Sequence, residues 1–346
     1  MDIERELLDA RIASGLSPEE LSGKTVLITG AAGLIGYNLA LLLLSLRNTL
    51  KEPPRVVALV RNAEKARRLF GARCGELELL TGDVTQPIAA PETVDYVIHA
   101  AGPTASRQFV EQPVETICTA LDGTRNVLAL AEEKRVRSMV YLSSMEVYGA
   151  PDTEGKITEA YGAELNTMAA RSSYPESKRL CETLCRAYAD EYGVNAKAIR
   201  LTQTFGPGAA YDDTRVFAEF ARCAVENRDI VLHTAGQTKR SYLYTADAAT
   251  AILTVLLKGE KGEAYNAANE ATYCSVRDMA ELVAAKCADG RIKVVCDGAA
   301  EGFGYAPTLK MDLDAGKLRA LGWRPTVGLE SAFNGLIEWY RKLRQS

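Results

Sequence analysis

Through its first two thirds the chain alternates short, continuously apolar runs with longer stretches of helical length. The runs are TVLITG (25–30), RVVALV (55–60), LELLTGDV (77–84), VDYVIHAAG (94–102), RSMVYLSS (137–144) and AKAIRLTQTFGP (196–207). Between most of them lie segments such as YNLALLLLSLRNTL (37–50) and PVETICTALDGTRNVLALAEEKR (113–135). Strands that are apolar on both sides, linked by helices, predict a parallel sheet covered on both faces, hence an α/β fold. After about residue 207 the rhythm loosens into shorter elements and Gly- and Pro-bearing loops. That change predicts a smaller lobe laid over the C-terminal edge of the sheet, where ligands of such sheets bind.

Composition narrows the partner. A formal net charge of −4, with no long basic run, gives no reason to expect nucleic acid or an anionic membrane. A chain of 346 residues, 47% hydrophobic, can bury the core of one large α/β domain or of two sharing a cleft, so a small-molecule ligand is expected. The eight cysteines show no CxxC pair and no nearby histidine, and read as reduced thiols rather than a metal site. Residues 1–23 are charged and helical in pattern, unlike a signal peptide, and LALLLLSL (39–46) is too short to span a bilayer. A cytoplasmic protein is expected.

Chemistry enters with TVLITGAAGLIGYNLA, where Gly30, Gly33 and Gly36 follow a strand and open a helix. The first glycine permits a tight turn, the second a close approach to a pyrophosphate, the third close helix–strand packing; the helix N-terminus holds the phosphates. This context predicts a Rossmann-type, doubly wound dinucleotide-binding domain over residues 24–207, after an N-terminal helical extension (1–23) and before a mixed α/β substrate lobe (208–346) with some return to the first domain. The turn brings Leu34 and Ile35 to the cofactor. Where the second strand ends, the usual acidic residue is replaced by Arg61 and Asn62. An arginine there pairs with a 2′-phosphate, which favours NADP, or else stacks on adenine or faces water. Asp83, followed by Val84, is placed to accept from an adenine amine or to cap its own loop.

In RSSYPESKRLCETLC, Tyr174 and Lys178 lie one helical turn apart on one face. A lysine ammonium beside a phenol stabilises the phenolate and is expected to lower its pKa from near 10 towards neutrality, which makes the tyrosine a general base.

Together these motifs resemble the extended short-chain dehydrogenases/reductases, the NAD(P)-dependent nucleotide-sugar epimerases, dehydratases and decarboxylases. The resemblance runs from Lys24 to about Tyr340 through TGAAGLIG, GDV, HAAG (99–102), SSMEVYG, YPESK, FGPG (205–208), GQTKRSYLYTADAA (236–249), GEAYNAAN (262–269) and LKMDLDAGKLRALGWRP (309–325). It implies tightly bound NAD or NADP, with Ala100, Ala101 and Gly102 among the cofactor contacts. It implies Ser144 as the hydroxyl that orients a sugar hydroxyl for Tyr174; Ser143 should point the opposite way. In this family a glutamate in the place of Glu146 marks dehydratases and UDP-glucuronate decarboxylases. Met145, where dehydratases carry aspartate, cannot protonate a leaving hydroxyl. RSSYPESKR, DDTRV and QTKRSYLY resemble the decarboxylases, and imply Arg240, with Arg215 as helper, on a diphosphate or a sugar carboxylate.

Three positions depart from the family pattern: Ala120 and Gln203 where asparagines are usual, and an inserted Lys239. They leave the oxidation chemistry intact and bear on the sugar. Gln203 keeps its place as a substrate contact. The expected activity is therefore UDP-glucuronate decarboxylation through a 4-keto intermediate, with Glu146 as the second-stage acid/base group or, alternatively, a solvated loop charge. Nucleotide-sugar 4-epimerisation and 4,6-dehydration/reduction stand as alternatives, and a non-catalytic NAD(P)-binding regulator as one of another class. The family's four-helix contact implies a homodimer. His99, His233 and Arg171 carry no assigned role.

Overall fold

The computed structural model describes residues 2–151, 153–162, 164–298 and 309–345. Six of the apolar runs form strands: β1 (Thr25–Thr29), β2 (Arg55–Val60), β3 (Glu78–Thr81), β4 (Tyr96–His99), β5 (Ser138–Ser144) and β6 (Ala196–Leu201). With Ala264–Ala267 they build a seven-stranded sheet among the described residues, in the order β3-β2-β1-β4-β5-β6 and then Ala264–Ala267. Every pairing in it is parallel. β1 and β4 are buried throughout, because helices cover both faces. Along β1, Val26 and Ile28 enter one core cluster and Leu27 the opposite one. A continuous apolar run thus still obeys the two-residue alternation of a strand.

The chain reverses direction of travel across the sheet between β1 and β4, the doubly wound switch point where such sheets open a crevice. Several strands end earlier than their apolar runs suggested. β3 stops at Thr81 because Asp83 caps the following turn, its Oδ1 accepting from the Thr85 N–H and hydroxyl, both at 2.9 Å. β4 stops at His99, and the Ala101 N–H turns to the Thr29 hydroxyl at 3.2 Å. The run 196–207 is divided at Thr202, whose hydroxyl donates to the Ser241 carbonyl at 2.6 Å. Beyond it, Gln203–Phe205 pairs with Lys239–Tyr244 in a second sheet that also holds Asn269–Ser275 and Lys310–Met311.

Helix Ile3–Ala13 lays Leu7 and Ala10 against the helices Leu34–Ser45 and Thr245–Lys258, and its Glu6 accepts from the Tyr244 hydroxyl at 2.7 Å. Among the described residues no helix is long and apolar enough to cross a membrane. Nor do three or more His, Cys, Asp or Glu side chains gather as a metal site there.

Candidate active site

A cavity of about 1010 Å³ opens at the carboxyl ends of the parallel strands. At one end of it lies the glycine turn. Gly30 has φ +68°, and a Cβ there would meet the Ala101 backbone at 2.8 Å. A Cβ on Gly36 would fall 2.3 Å from the Gly30 carbonyl oxygen, so only glycine lets the helix Leu34–Ser45 sit this close to the turn. That helix has no side-chain cap at Gly33, which leaves its first N–H groups to the cavity that Gly33, Leu34, Ile35 and Gly36 line. The cradle fits the pyrophosphate of a dinucleotide.

Arg61, Asn62, Asp83, Val84, Ala100, Ala101 and Gly102 continue the same wall. Asn62 is committed to a cap, accepting from the Lys65 N–H at 2.8 Å. Asp83 is the loop cap described above. The Thr85 N–H, with help from the Thr85 hydroxyl and Arg61, holds its carboxyl below the ordinary range. Arg61 is exposed at the rim. His99 lies beneath the floor, bonded to Thr29 at 2.8 Å and Thr124 at 3.3 Å, and burial drives its pKa down to about 3. It is a neutral structural residue. His233 pairs with Asp297 at 2.8 Å outside the cavity.

The reacting face is built by β5 and the helix Ser173–Glu191. Where β5 ends, a short 3₁₀ turn (Met145–Tyr148) begins, and the Ser144 hydroxyl accepts from the Glu146 N–H at 3.2 Å. Ser143, on the other side of the strand, donates to Glu182. Tyr174, 9% exposed, stacks on Phe109 with ring centroids 4.1 Å apart and planes 8° apart, and its phenol lies close enough to Ser144 for that hydroxyl to lower its pKa.

Here the electrostatics differ from the sequence-based expectation. Burial pushes the Tyr174 phenol up to about 12 and the Glu146 carboxylate adds to the rise, while Ser144, Arg171 and Arg215 oppose it. Lys178 does not reverse the shift. Its ammonium donates to the Leu142 carbonyl at 2.7 Å and lies 4.6 Å from the Tyr141 ring centre and 5.7 Å from that of Tyr174. Burial lowers its own pKa to about 8. Excluding water from both groups outweighs their mutual attraction.

Glu146 is not a solvated loop charge. Arg171 donates to it at 2.6 Å, with the two side chains 42% and 30% exposed at the cavity wall. The guanidinium also lies 4.9 Å from the centre of the Phe109 ring, the ring that backs Tyr174. Arg171, which the sequence left without a role, is the ion-pair partner of Glu146; its signal was an arginine one helical turn before Tyr174. Gln203, Arg215 and Arg240 reach the same cavity from the far side. Arg215 is gripped by Asp213 at 2.5–3.1 Å, whereas Arg240 carries no ion pair among the described residues. The lining holds Arg61, Lys65, Arg171, Lys178, Arg215 and Arg240 against Asp83, Glu146 and Glu164. On a chain of net charge −4 this is a local excess of positive charge, suited to a multiply anionic ligand.

Comparison with known proteins agrees with this geometry. Residues 26–268 match the NAD dependent epimerase/dehydratase family. The chain is 31% identical over 327 residues to UDP-glucuronic acid decarboxylase 6 of Arabidopsis thaliana, spanning 92% of this chain and 90% of that protein. It is 29% identical to UDP-glucuronic acid decarboxylase 1 of Xenopus tropicalis, over 93% of this chain and 73% of that protein. Among solved structures it resembles a UDP-glucose 4-epimerase of Thermotoga maritima with UDP-glucose (TM-score 0.77, 20% identity, 92% of this chain and 99% of that one). A dTDP-glucose 4,6-dehydratase of Bacillus anthracis in complex with NAD shares the fold as well (TM-score 0.74, 20% identity, 93% and 98%). With its parallel sheet, glycine turn and Tyr174–Lys178 pair, this chain belongs to the NAD dependent epimerase/dehydratase family.

Proposed function

We propose that the protein is a nucleotide-sugar enzyme that oxidises C4 of its substrate, and that its activity is decarboxylation of UDP-glucuronate. Family membership makes it an enzyme that uses a nicotinamide dinucleotide. When bound, that cofactor supplies a hydride acceptor and returns the hydride later. This chain's own residues bind, orient and move protons. Tyr174 takes the proton of the C4 hydroxyl, Ser144 orients that hydroxyl, and Lys178 fixes the local positive charge. Gln203, Arg215 and Arg240 hold the nucleotide diphosphate side of the ligand.

The observation that carries the specific reading is the Glu146 carboxylate on the cavity wall, close enough to Tyr174 to raise its pKa. A ketone at C4 weakens the bond from C5 to its carboxylate, and an acid/base group is then needed to return a proton to C5. Glu146 stands where it can serve. Met145 is buried and its thioether carries no proton, so it offers no acid for loss of a hydroxyl, which sets dehydration aside. The relatives named as UDP-glucuronic acid decarboxylases support the same choice.

The test is incubation of the purified protein with NAD or NADP and a panel of UDP- and dTDP-sugars, following product mass and absorbance at 340 nm. Loss of carbon dioxide from UDP-glucuronate is the expected result. A product of unchanged mass would mean epimerisation, and net cofactor consumption a reductase. Silence across the panel would mean a cofactor-binding regulator.

A further inference from the structure

We propose that Arg171 is the receptor for the carboxylate of an acidic sugar, and that Glu146 occupies the guanidinium until such a substrate arrives. The inference rests on the reading that the substrate is a nucleotide uronate, and it names the group that recognises the acid.

The Arg171–Glu146 bond joins a guanidinium to a carboxylate on the cavity wall, 25 residues apart in sequence. Both side chains are substantially exposed to the cavity, and ion pairs of this exposure are weak, so an incoming carboxylate exchanges with Glu146 like for like at little cost. Among the described residues only Nη2 of the guanidinium is engaged, which leaves the rest of its planar donor fork for a ligand. The fork is also held in position. Phe109 lies beneath it at 4.9 Å and stacks on Tyr174, and the Ser173 hydroxyl donates to the Phe109 carbonyl at 2.8 Å. A carboxylate bound there is therefore carried beside the phenol.

The other cations of this face are less suited. Arg215 is already gripped by Asp213, and Lys178 is spent on the Leu142 carbonyl. Arg240, on the strand Lys239–Tyr244 of the second sheet, is the cation assigned above to the nucleotide diphosphate. Exchange has a second effect: it frees the Glu146 carboxylate, next to Tyr174, only when an acidic sugar is bound. A neutral sugar leaves the pair closed. The site thereby selects acids both by attraction and by withholding Glu146 from neutral ligands.

The experiment is calorimetric titration of the cofactor-loaded protein with UDP-glucuronate and UDP-glucose, which differ only at C6. Arg171→Gln is expected to weaken UDP-glucuronate at least tenfold and UDP-glucose less than twofold, with Arg171→Lys between wild type and Arg171→Gln for the acid alone. Glu146→Gln, which removes the competitor, is expected to tighten UDP-glucuronate several-fold and leave UDP-glucose unchanged. Equal losses for both sugars in Arg171→Gln, or weaker UDP-glucuronate binding in Glu146→Gln, overturn the proposal. Unchanged cofactor affinity in each variant shows that the fold is intact. If the selectivity follows Arg171 but no carbon dioxide is released, the decarboxylase reading fails and the acid receptor stands. If the wild type binds neither sugar, both fall.

Discussion

Tyr174 is almost wholly removed from water, and its phenol is pushed up to about 12, so its use as a base depends on the charges that reach it. Replacing Tyr174 by Phe keeps the stack on Phe109 and removes the acid–base oxygen; kcat is expected to fall by about 10²–10⁴-fold with cofactor affinity retained. Glu146 is the charge that raises the phenol most. Taking it away lowers the pKa. Glu146→Gln should therefore shift the alkaline-rising limb of the oxidation step to lower pH, read as the pH dependence of single-turnover absorbance at 340 nm, while overall product formation falls. A limb that stays in place would mean that the carboxylate is too well screened by Arg171 to act on Tyr174. Both effects come from the same few ångströms, and they have opposite consequences for the two halves of the reaction.

On the scale of elements, two contacts decide how well the sheet and its helices hold the site. Gly36→Ala would push a Cβ into the Gly30 carbonyl at 2.3 Å, against backbone that cannot swing away. A loss of roughly 1–3 kcal/mol and much weaker dinucleotide binding are expected, measured by thermal unfolding with and without cofactor. β6 carries the opposite case. Lys197 is 1% exposed, donates to Ser138 at 2.6 Å, and burial lowers its pKa to about 8. Its folded pKa lies below the unfolded value, so between about pH 8 and 10.5 the unfolded chain binds more protons and stability rises with pH; below pH 8 the whole penalty is present. Lys197→Met should stabilise the protein at pH 7 by up to about 3 kcal/mol, and the advantage should shrink above pH 8. Ser138 keeps its own bond to the Leu256 carbonyl, so the substitution leaves that donor satisfied. An unchanged difference between pH 7 and pH 10 would show that Lys197 finds compensation elsewhere.

For the molecule as a whole, the N-terminal helix ties distant parts together. Leu7 and Ala10 are buried against two helices far apart in sequence, Leu34–Ser45 and Thr245–Lys258, and Glu6 meets Tyr244 across 238 residues of sequence. Deleting residues 1–13 would uncover that apolar surface and is expected to lower Tm by about 5 °C or more without changing which nucleotide sugars bind. The charge distribution works at the same scale. On a protein of net charge −4, six of the 41 Lys and Arg side chains face three carboxylates in one cavity, and long-range attraction of an anionic ligand to it should weaken as salt rises.

Some of this was legible in the chain itself. The apolar runs determined β1, β2, β4 and β5, because burial on both faces keeps the middle of each strand apolar. The glycine spacing determined the turn, since only glycine tolerates the positive φ at Gly30 and the closeness at Gly36. The residues named in advance for cofactor, substrate and chemistry all line one cavity, because the parallel fold brings every strand's carboxyl end to one edge. Tertiary structure alone decided the rest. Thr202 divides an apolar run because its hydroxyl finds Ser241 on another sheet. Asn62 and Asp83 spend side-chain oxygens on caps. Arg171 meets Glu146, and Lys178 turns to Leu142 rather than to the phenol. Periodicity and spacing are local and can be read along the chain. A pKa or an ion pair depends on which groups come within a few ångströms and how much water is left between them, and only the folded chain sets those distances.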